Sequence, residues 1–108
     1  MSPTARSLAH LRELGFQAKV IEKWNPFARI RQDVFGADIL ALKAGEPLLA
    51  VQATSGTNVA ARIQKLQEQG YAALWQSAGA TIEVWGWAKQ GPRGGRKVWT
   101  LRRVIPNS

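Results

Sequence analysis

The chain has 108 residues, enough for a single domain with one core, and it carries 15 Lys and Arg against 7 Asp and Glu. The absence of cysteine excludes disulfides, thiolate metal sites and a cysteine nucleophile. No apolar run reaches the roughly 18–20 residues of a membrane span, and the N-terminus lacks the apolar core of a signal peptide, so we expect a soluble, cytoplasmic protein without a membrane partner.

The N-terminal segment predicts a helix and then a strand. Ser2 and Pro3 resemble an N-cap and a first helical position, and Gly15 is a stop signal. The stretch Phe16–Trp24 then alternates with period two, which predicts a half-exposed strand. An Asn-Pro turn signal follows it, and we expect a loop there that leads into the next strand.

Two short, mostly apolar runs come next, DILAL (38–42) and LLAVQAT (48–54). The residues between them include Gly45 and Pro47, which suit a hairpin turn. Runs that are apolar on both faces belong in the middle of a sheet that is covered on both sides. We therefore expect a central hairpin.

The C-terminal half predicts a helix from Asn58 to about Gln69, a second short helix, and two strands joined by the exposed basic turn KQGPRGGRK. A helix between the third and fourth strands should form a crossover, which makes those two strands parallel. The predicted fold is a single α/β domain, residues 1–108, with a mixed sheet and the order α-β-β-β-α-β-β.

Polar residues lie at one end of the predicted hairpin. Asp38 opens its first strand, while Gln52 and Thr54 stand near the end of its second strand. A closed hairpin would point Asp38 and Gln52 into a common space, with the Ala53 carbonyl beside them. A carboxylate, an amide oxygen and a backbone carbonyl form a set that Mg²⁺ accepts. The alternatives are a turn cap at Asp38, a buried structural hydrogen bond at Gln52 and an ordinary strand end at Thr54.

The net charge of +8 predicts a polyanionic partner, most simply nucleic acid, with solubility as the alternative explanation. From Val84 to the end there are six basic residues and no acidic one. The basic turn is either a phosphate-contacting finger or only an exposed hairpin tip. The candidate nucleic-acid-binding residues are Arg29, Arg31, Arg62, Lys65, Arg93, Arg96 and Lys97.

The hairpin and the elements around it resemble the PD-(D/E)xK nuclease superfamily, most closely the small archaeal-type Holliday junction resolvases and related phage and bacterial nucleases. In that family a strand-leading Asp and a Glu or Gln two residues before a Lys surround the metal. Asp38 matches the Asp, Gln52 matches the Glu or Gln, and Thr54 stands where the Lys is expected.

The resemblance implies a restriction-endonuclease-like fold and a Mg²⁺- or Mn²⁺-dependent endonuclease acting on DNA, with branched DNA as a candidate substrate. It also implies a homodimer. Trp85 and Trp87, which share a strand face, are expected to pack in the core or at a subunit interface, with base stacking as the alternative.

Two expected groups are missing from their usual places. Thr54 brings no positive charge, and the start of the leading helix has no Glu. Glu22 or Asp33 could replace the acid. The candidates for the missing base are Lys23, Arg62 and Lys65. The alternative functions are a catalytically inactive nuclease-fold module that binds DNA, RNA or protein, and a basic phage or mobile-element accessory protein that binds another protein.

Overall fold

In the computed structural model, which describes residues 1–108, three helices pack against a mixed sheet in an α/β arrangement. Helix α1 covers one face of the sheet, and helices α2 and α3 cover the other. A 3₁₀ turn at Gly56–Asn58 precedes α2. The elements are α1 (Pro3–Glu13), β1 (Gln17–Val20), β2 (Lys23–Asn25), β3 (Ile30–Gln32), β4 (Ile39–Leu42), β5 (Leu49–Ser55), α2 (Val59–Glu68), α3 (Tyr71–Ser77), β6 (Thr81–Gln90) and β7 (Val98–Val104).

Five strands form the main sheet in the order β1-β4-β5-β6-β7. Strands β5 and β6 are parallel, and the other neighbours are antiparallel. The predicted mixed sheet and the predicted parallel pair are therefore confirmed. Strand β5 lies at the centre, as expected for a run that is apolar on both faces.

The helix boundaries follow the sequence signals closely. The Ser2 hydroxyl oxygen accepts a hydrogen bond from the Ala5 N–H at 3.1 Å, and α1 begins at Pro3. Gly15 follows the helix with a φ of 92°, which glycine adopts at little cost. Asn58 precedes α2 as predicted, but its side chain donates to the Ser55 hydroxyl and not to the helix. None of the helices has the length and apolarity needed to cross a membrane.

The predicted strand Phe16–Trp24 is wrong in its extent. The Asp38 carbonyl accepts hydrogen bonds from the N–H groups of both Ile21 (2.8 Å) and Glu22 (3.3 Å), so the chain bulges there and leaves the sheet. The residues that follow form β2, which pairs only with β3. The order α-β-β-β-α-β-β does not contain this separate hairpin. The second short helix predicted after the crossover helix is confirmed as α3, although that order does not count it as a separate element.

Two apolar clusters fill the space between the sheet and its helices. Leu11 of α1 packs with Val51 and Trp85 on one face. On the other face, Val59 of α2 packs with Ala50 and other buried residues. Because side chains alternate along a strand, Gln52 and Thr54 lie on the same face as Ala50, beneath α2.

Candidate functional site

Asp38 and Gln52 lie at the same end of the sheet. Asp38 directly precedes β4, whose first residue Ile39 pairs with Val51, and Gln52 follows Val51 on β5. The Asp38 N–H donates to the Val51 carbonyl at 2.8 Å, and Asp38 Oδ2 accepts from the Ala53 N–H at 2.9 Å. Asp38 is thus held on β5 by its backbone and by its side chain.

Both side chains are nearly inaccessible, with 8% of Asp38 and 4% of Gln52 exposed. Gln52 Oε1 is buried and has no hydrogen-bond partner in the protein. Leaving a buried acceptor unsatisfied costs about 1–3 kcal/mol. The N–H and C=O of one strand residue point to the same neighbouring strand, so the Ala53 carbonyl faces the side on which Asp38 lies. Three oxygen atoms that can ligate a metal ion, from the Asp38 carboxylate, the Gln52 amide and the Ala53 carbonyl, therefore lie at this end of the β4–β5 hairpin.

The electrostatic surroundings of Asp38 are unusual. Burial raises the pKa of Asp38 to about 7, and the hydrogen bond from the Ala53 N–H opposes that rise. The carboxylates of Glu22 and Asp33 raise this pKa further, whereas Arg62 lowers it. Both acids named as replacements, and one of the named bases, thus act on Asp38.

The two additional acids are not gathered around Asp38 as a cluster. No group of three or more His, Cys, Asp or Glu side chains is placed to hold a metal ion. Asp33 is exposed and caps a turn, since its Oδ1 accepts from the Gly36 N–H at 3.1 Å. Glu22 is mostly buried and lies 3.5 Å from the Arg31 guanidinium.

No positive charge occupies the position of the expected lysine. Thr54 is 4% exposed and lies beside Gly86 of β6 in the parallel register. Lys23 is exposed on β2, which pairs only with β3. Arg62 on α2 is half-buried and is the basic residue whose charge reaches Asp38.

The remaining basic candidates flank this end of the sheet. Strands β1, β5 and β6 run in the same direction, so the β2–β3 hairpin after β1 and the β6–β7 hairpin both leave the sheet where Asp38 and Gln52 lie. Arg31 and Lys65 line a shallow cleft together with Asp33. The other exposed basic candidates are Arg29 on the first hairpin and Arg93, Arg96 and Lys97 on the second.

One member of the C-terminal basic run is already engaged within the protein. Arg103 donates to both carboxylate oxygens of Glu83, at 2.7 and 3.0 Å, and its guanidinium lies 4.8 Å from the Trp85 ring centre. The Trp85 indole N–H also donates to Glu83. Sequence reasoning missed this pair, although Glu83 is an acid inside an apolar strand. Arg103 is therefore a structural residue and not a free phosphate contact.

The two tryptophans of β6 pack within the protein. Trp85 is fully buried against α1, and the Trp87 indole N–H donates to the Ser7 hydroxyl at 2.9 Å. The packing role predicted for them is confirmed. The two most exposed aromatic side chains, Phe27 and Trp24, lie instead on the β2–β3 hairpin. The sequence predicted the start of this hairpin as the end of a strand and the rest as a loop that leads into the next strand. The available signal was the Asn25-Pro26 turn between two short strand-like segments.

Comparison with known proteins identifies no relative of the chain, since no family model, no curated protein and no solved structure matches it. The resemblance to PD-(D/E)xK nucleases therefore stays a prediction from the sequence. It rests on Asp38 and Gln52 and on the hairpin that carries them, and Thr54 departs from the motif.

Proposed function

We propose that the chain is a divalent-metal-dependent, endonuclease-like protein of the PD-(D/E)xK type, with a restriction-endonuclease-like fold, which binds DNA and acts on its phosphodiester bonds. One observation carries the proposal. The Asp38 carboxylate is buried and accepts a hydrogen bond from the N–H of Ala53, the residue next to Gln52 on β5, which supports the match of Asp38 and Gln52 to the family motif.

The donor set fits Mg²⁺ or Mn²⁺. Asp38 Oδ2 accepts a hydrogen bond from the Ala53 N–H, so the other carboxylate oxygen can bind a metal ion. Gln52 Oε1 is a buried acceptor without a hydrogen-bond partner. Magnesium binds hard oxygens, keeps several waters and commonly uses only one or two carboxylates. When bound, the cation would polarise a phosphate oxygen and lower the pKa of a bound water.

The charges around the site divide into two roles. Asp38 must lose its proton to bind a cation, and Glu22 and Asp33 make the local potential more negative, which favours the cation. Arg62 faces the same group with a positive charge. Since a guanidinium stays protonated, Arg62 is suited to bind a phosphate oxygen and stabilise negative charge, and not to accept a proton from water.

The position of the basic hairpins supports DNA as the partner. Both leave the sheet at the Asp38 end, and the chain has a net charge of +8. Contacts of this kind fix the phosphate backbone without reading sequence and make binding steeply dependent on salt. A twofold dimer, as in the resolvases, would bring two such sites to two strands of branched DNA.

A second candidate function is a catalytically inactive nuclease-fold module that binds nucleic acid. The observation in its favour is Thr54, which is buried and uncharged where a lysine is expected. In that case a buried water, and not a cation, would satisfy Gln52 Oε1.

Cleavage of linear, single-stranded and four-way-junction DNA in Mg²⁺ and in Mn²⁺ tests the proposal. We expect cutting of at least one substrate by the native chain and by the control Glu46→Gln, which changes an exposed carboxylate in the β4–β5 turn. Asp38→Ala should abolish cutting, and Arg62→Ala should slow it. Absence of cutting, with tight and salt-sensitive binding kept by Asp38→Ala, would overturn the enzyme proposal in favour of the binding module.

A further inference from the structure

The β2–β3 hairpin, Lys23–Gln32, exposes large aromatic side chains. Phe27 at its tip is 99% exposed, and Trp24 is 57% exposed. The hairpin pairs only with itself, so no helix or strand of the main sheet covers it by pairing. Aromatic rings left this open on a small ribbon indicate a surface that meets a partner.

The tip is held in one conformation by local hydrogen bonds. Asn25 Oδ1 accepts hydrogen bonds from the N–H groups of Phe27 (3.0 Å) and Ala28 (3.1 Å). Pro26, between Asn25 and Phe27, restricts the backbone of the turn. Arg29 closes the turn with a φ of 54°. The Phe27 ring is therefore presented outward by a defined turn, which reduces the entropy that a partner must remove on binding.

Charge on the hairpin identifies the kind of partner. The segment carries Lys23, Arg29 and Arg31 and no acidic residue. Trp24 and Arg31 are directly paired across the ribbon, so the indole and the guanidinium share one face. A second copy of this chain, with a net charge of +8, would bring like charge to the hairpin. Unpaired nucleotides combine flat bases with negative phosphates and match both features.

The base of the hairpin is tied to the candidate metal centre. The Asp38 carbonyl accepts the N–H groups of Ile21 and Glu22, the two residues that join β1 to β2. At the same place the Glu22 carboxylate lies 3.5 Å from the Arg31 guanidinium. A nucleotide bound on the hairpin would therefore belong to a DNA strand that passes close to Asp38.

We propose that the β2–β3 hairpin binds unpaired bases, with Phe27 and Trp24 stacking on base faces and with Arg29 and Arg31 contacting the neighbouring phosphates. The choice of DNA as the nucleic acid rests on the proposed function. The inference deepens that function by naming its substrate class, which is duplex DNA with unpaired nucleotides beside it.

The test measures binding alone, without metal, so it does not depend on cleavage. Fluorescence anisotropy in EDTA compares a single-stranded oligonucleotide, a forked duplex and a blunt duplex. The variants are Phe27→Ala, Phe27→Trp, which keeps a ring, and Phe27→Leu, which keeps an apolar group without one. Leu42→Ala is the control, because Leu42 is exposed at the opposite end of β4.

Stacking of one base on one aromatic ring corresponds to roughly 5- to 150-fold in affinity. We expect Phe27→Ala and Phe27→Leu to weaken binding to the single strand and the fork by about tenfold, within that range. Blunt-duplex binding should change by less than about twofold, since a duplex offers the ring no free base face. Phe27→Trp and Leu42→Ala should bind as the native chain does.

Three results would overturn the inference. The first is unchanged single-strand binding by Phe27→Ala, and the second is an equal loss on the blunt duplex. The third is a native dimer in analytical ultracentrifugation that Phe27→Ala converts to monomer, which would make a second copy the partner. Failure of the nuclease proposal would appear as absent cleavage with the Phe27 effect on binding intact, so the two failures are distinguishable.

Discussion

The raised pKa of Asp38 predicts that this carboxylate destabilises the fold increasingly as the pH rises from about 4 to 7, and Asp38→Asn tests the prediction. The substitution keeps an oxygen that can accept the Ala53 N–H and removes the ionisation. In the native state Asp38 has a pKa of about 7, and in the unfolded chain its ordinary value is 3.8. Between these values the folded state binds the proton more tightly than the unfolded state does.

The size of the effect follows from linkage. The difference between about 7 and 3.8, at about 1.4 kcal/mol for each tenfold change, gives about 4 kcal/mol. The free energy of unfolding of the native chain should therefore fall, relative to Asp38→Asn, as the pH rises from 4 to 7. Above pH 7 the difference should level off. At pH 4 the two proteins should differ little from this cause, because Asp38 stays protonated in the native state.

Urea denaturation in EDTA, followed by circular dichroism at several pH values from 4 to 9, measures this difference. Glu46→Gln is the matched control, because it removes an exposed carboxylate at the other end of the hairpin. Its difference from the native chain should stay small across the range. A constant difference between Asp38→Asn and the native chain from pH 4 to 9 would refute the reasoning. A native chain that gains stability over the variant as the pH rises would refute it as well.

Three further predictions concern the rest of the molecule. Arg103→Ala should lower the free energy of unfolding by about 2–3 kcal/mol in urea denaturation. The loss should be smaller than for a fully buried ion pair, because the Arg103 side chain is 42% exposed. An unchanged urea midpoint would show that Glu83 does not need its partner. Gly86→Ala should destabilise by about 1–3 kcal/mol in thermal unfolding, since its Cβ would overlap Val59 Cγ2; a native melting temperature would mean that α2 moves away freely. Arg93→Ala should reduce the slope of log affinity against log salt for duplex DNA by about 1, and an identical slope would exclude a phosphate contact there.

The parts of the fold that sequence predicts well are those with strong local signals. Ser2 and Pro3 determine where α1 begins, and the apolar runs of β4 and β5 require the middle of the sheet. Crossover geometry then makes β5 and β6 parallel. A closed hairpin brings Asp38 to the end of β5 that carries Gln52 and Ala53, so the location of the candidate site can be predicted from the sequence.

The end of β1 could not be predicted from alternation, because it depends on a distant group. The carbonyl of Asp38 accepts two successive N–H groups and turns the chain out of the sheet after Val20. A period-two pattern is the same whether a strand pairs with one neighbour or changes partners partway. The exposed state of Phe27 follows from that turn and was hidden for the same reason.

The ion pair between Arg103 and Glu83 could not be predicted from local sequence patterns either. The two residues are 20 positions apart, and only the β6–β7 register brings their side chains together. In the sequence Arg103 is one of several basic residues near the end. Which basic residues near the C-terminus are paired within the protein can therefore be determined only when the β6–β7 pairing is known.

Binding of Mn²⁺ to the protein, measured by the loss of the free-ion signal in electron paramagnetic resonance at pH 8, tests most directly whether Asp38 and Gln52 form a cation site. The measurement needs no DNA substrate. We expect the native chain and Glu46→Gln to bind Mn²⁺, Gln52→Leu to bind it more weakly, and Asp38→Asn to lose the site. Equal binding by the native chain and Asp38→Asn would contradict the account, and so would no binding by the native chain.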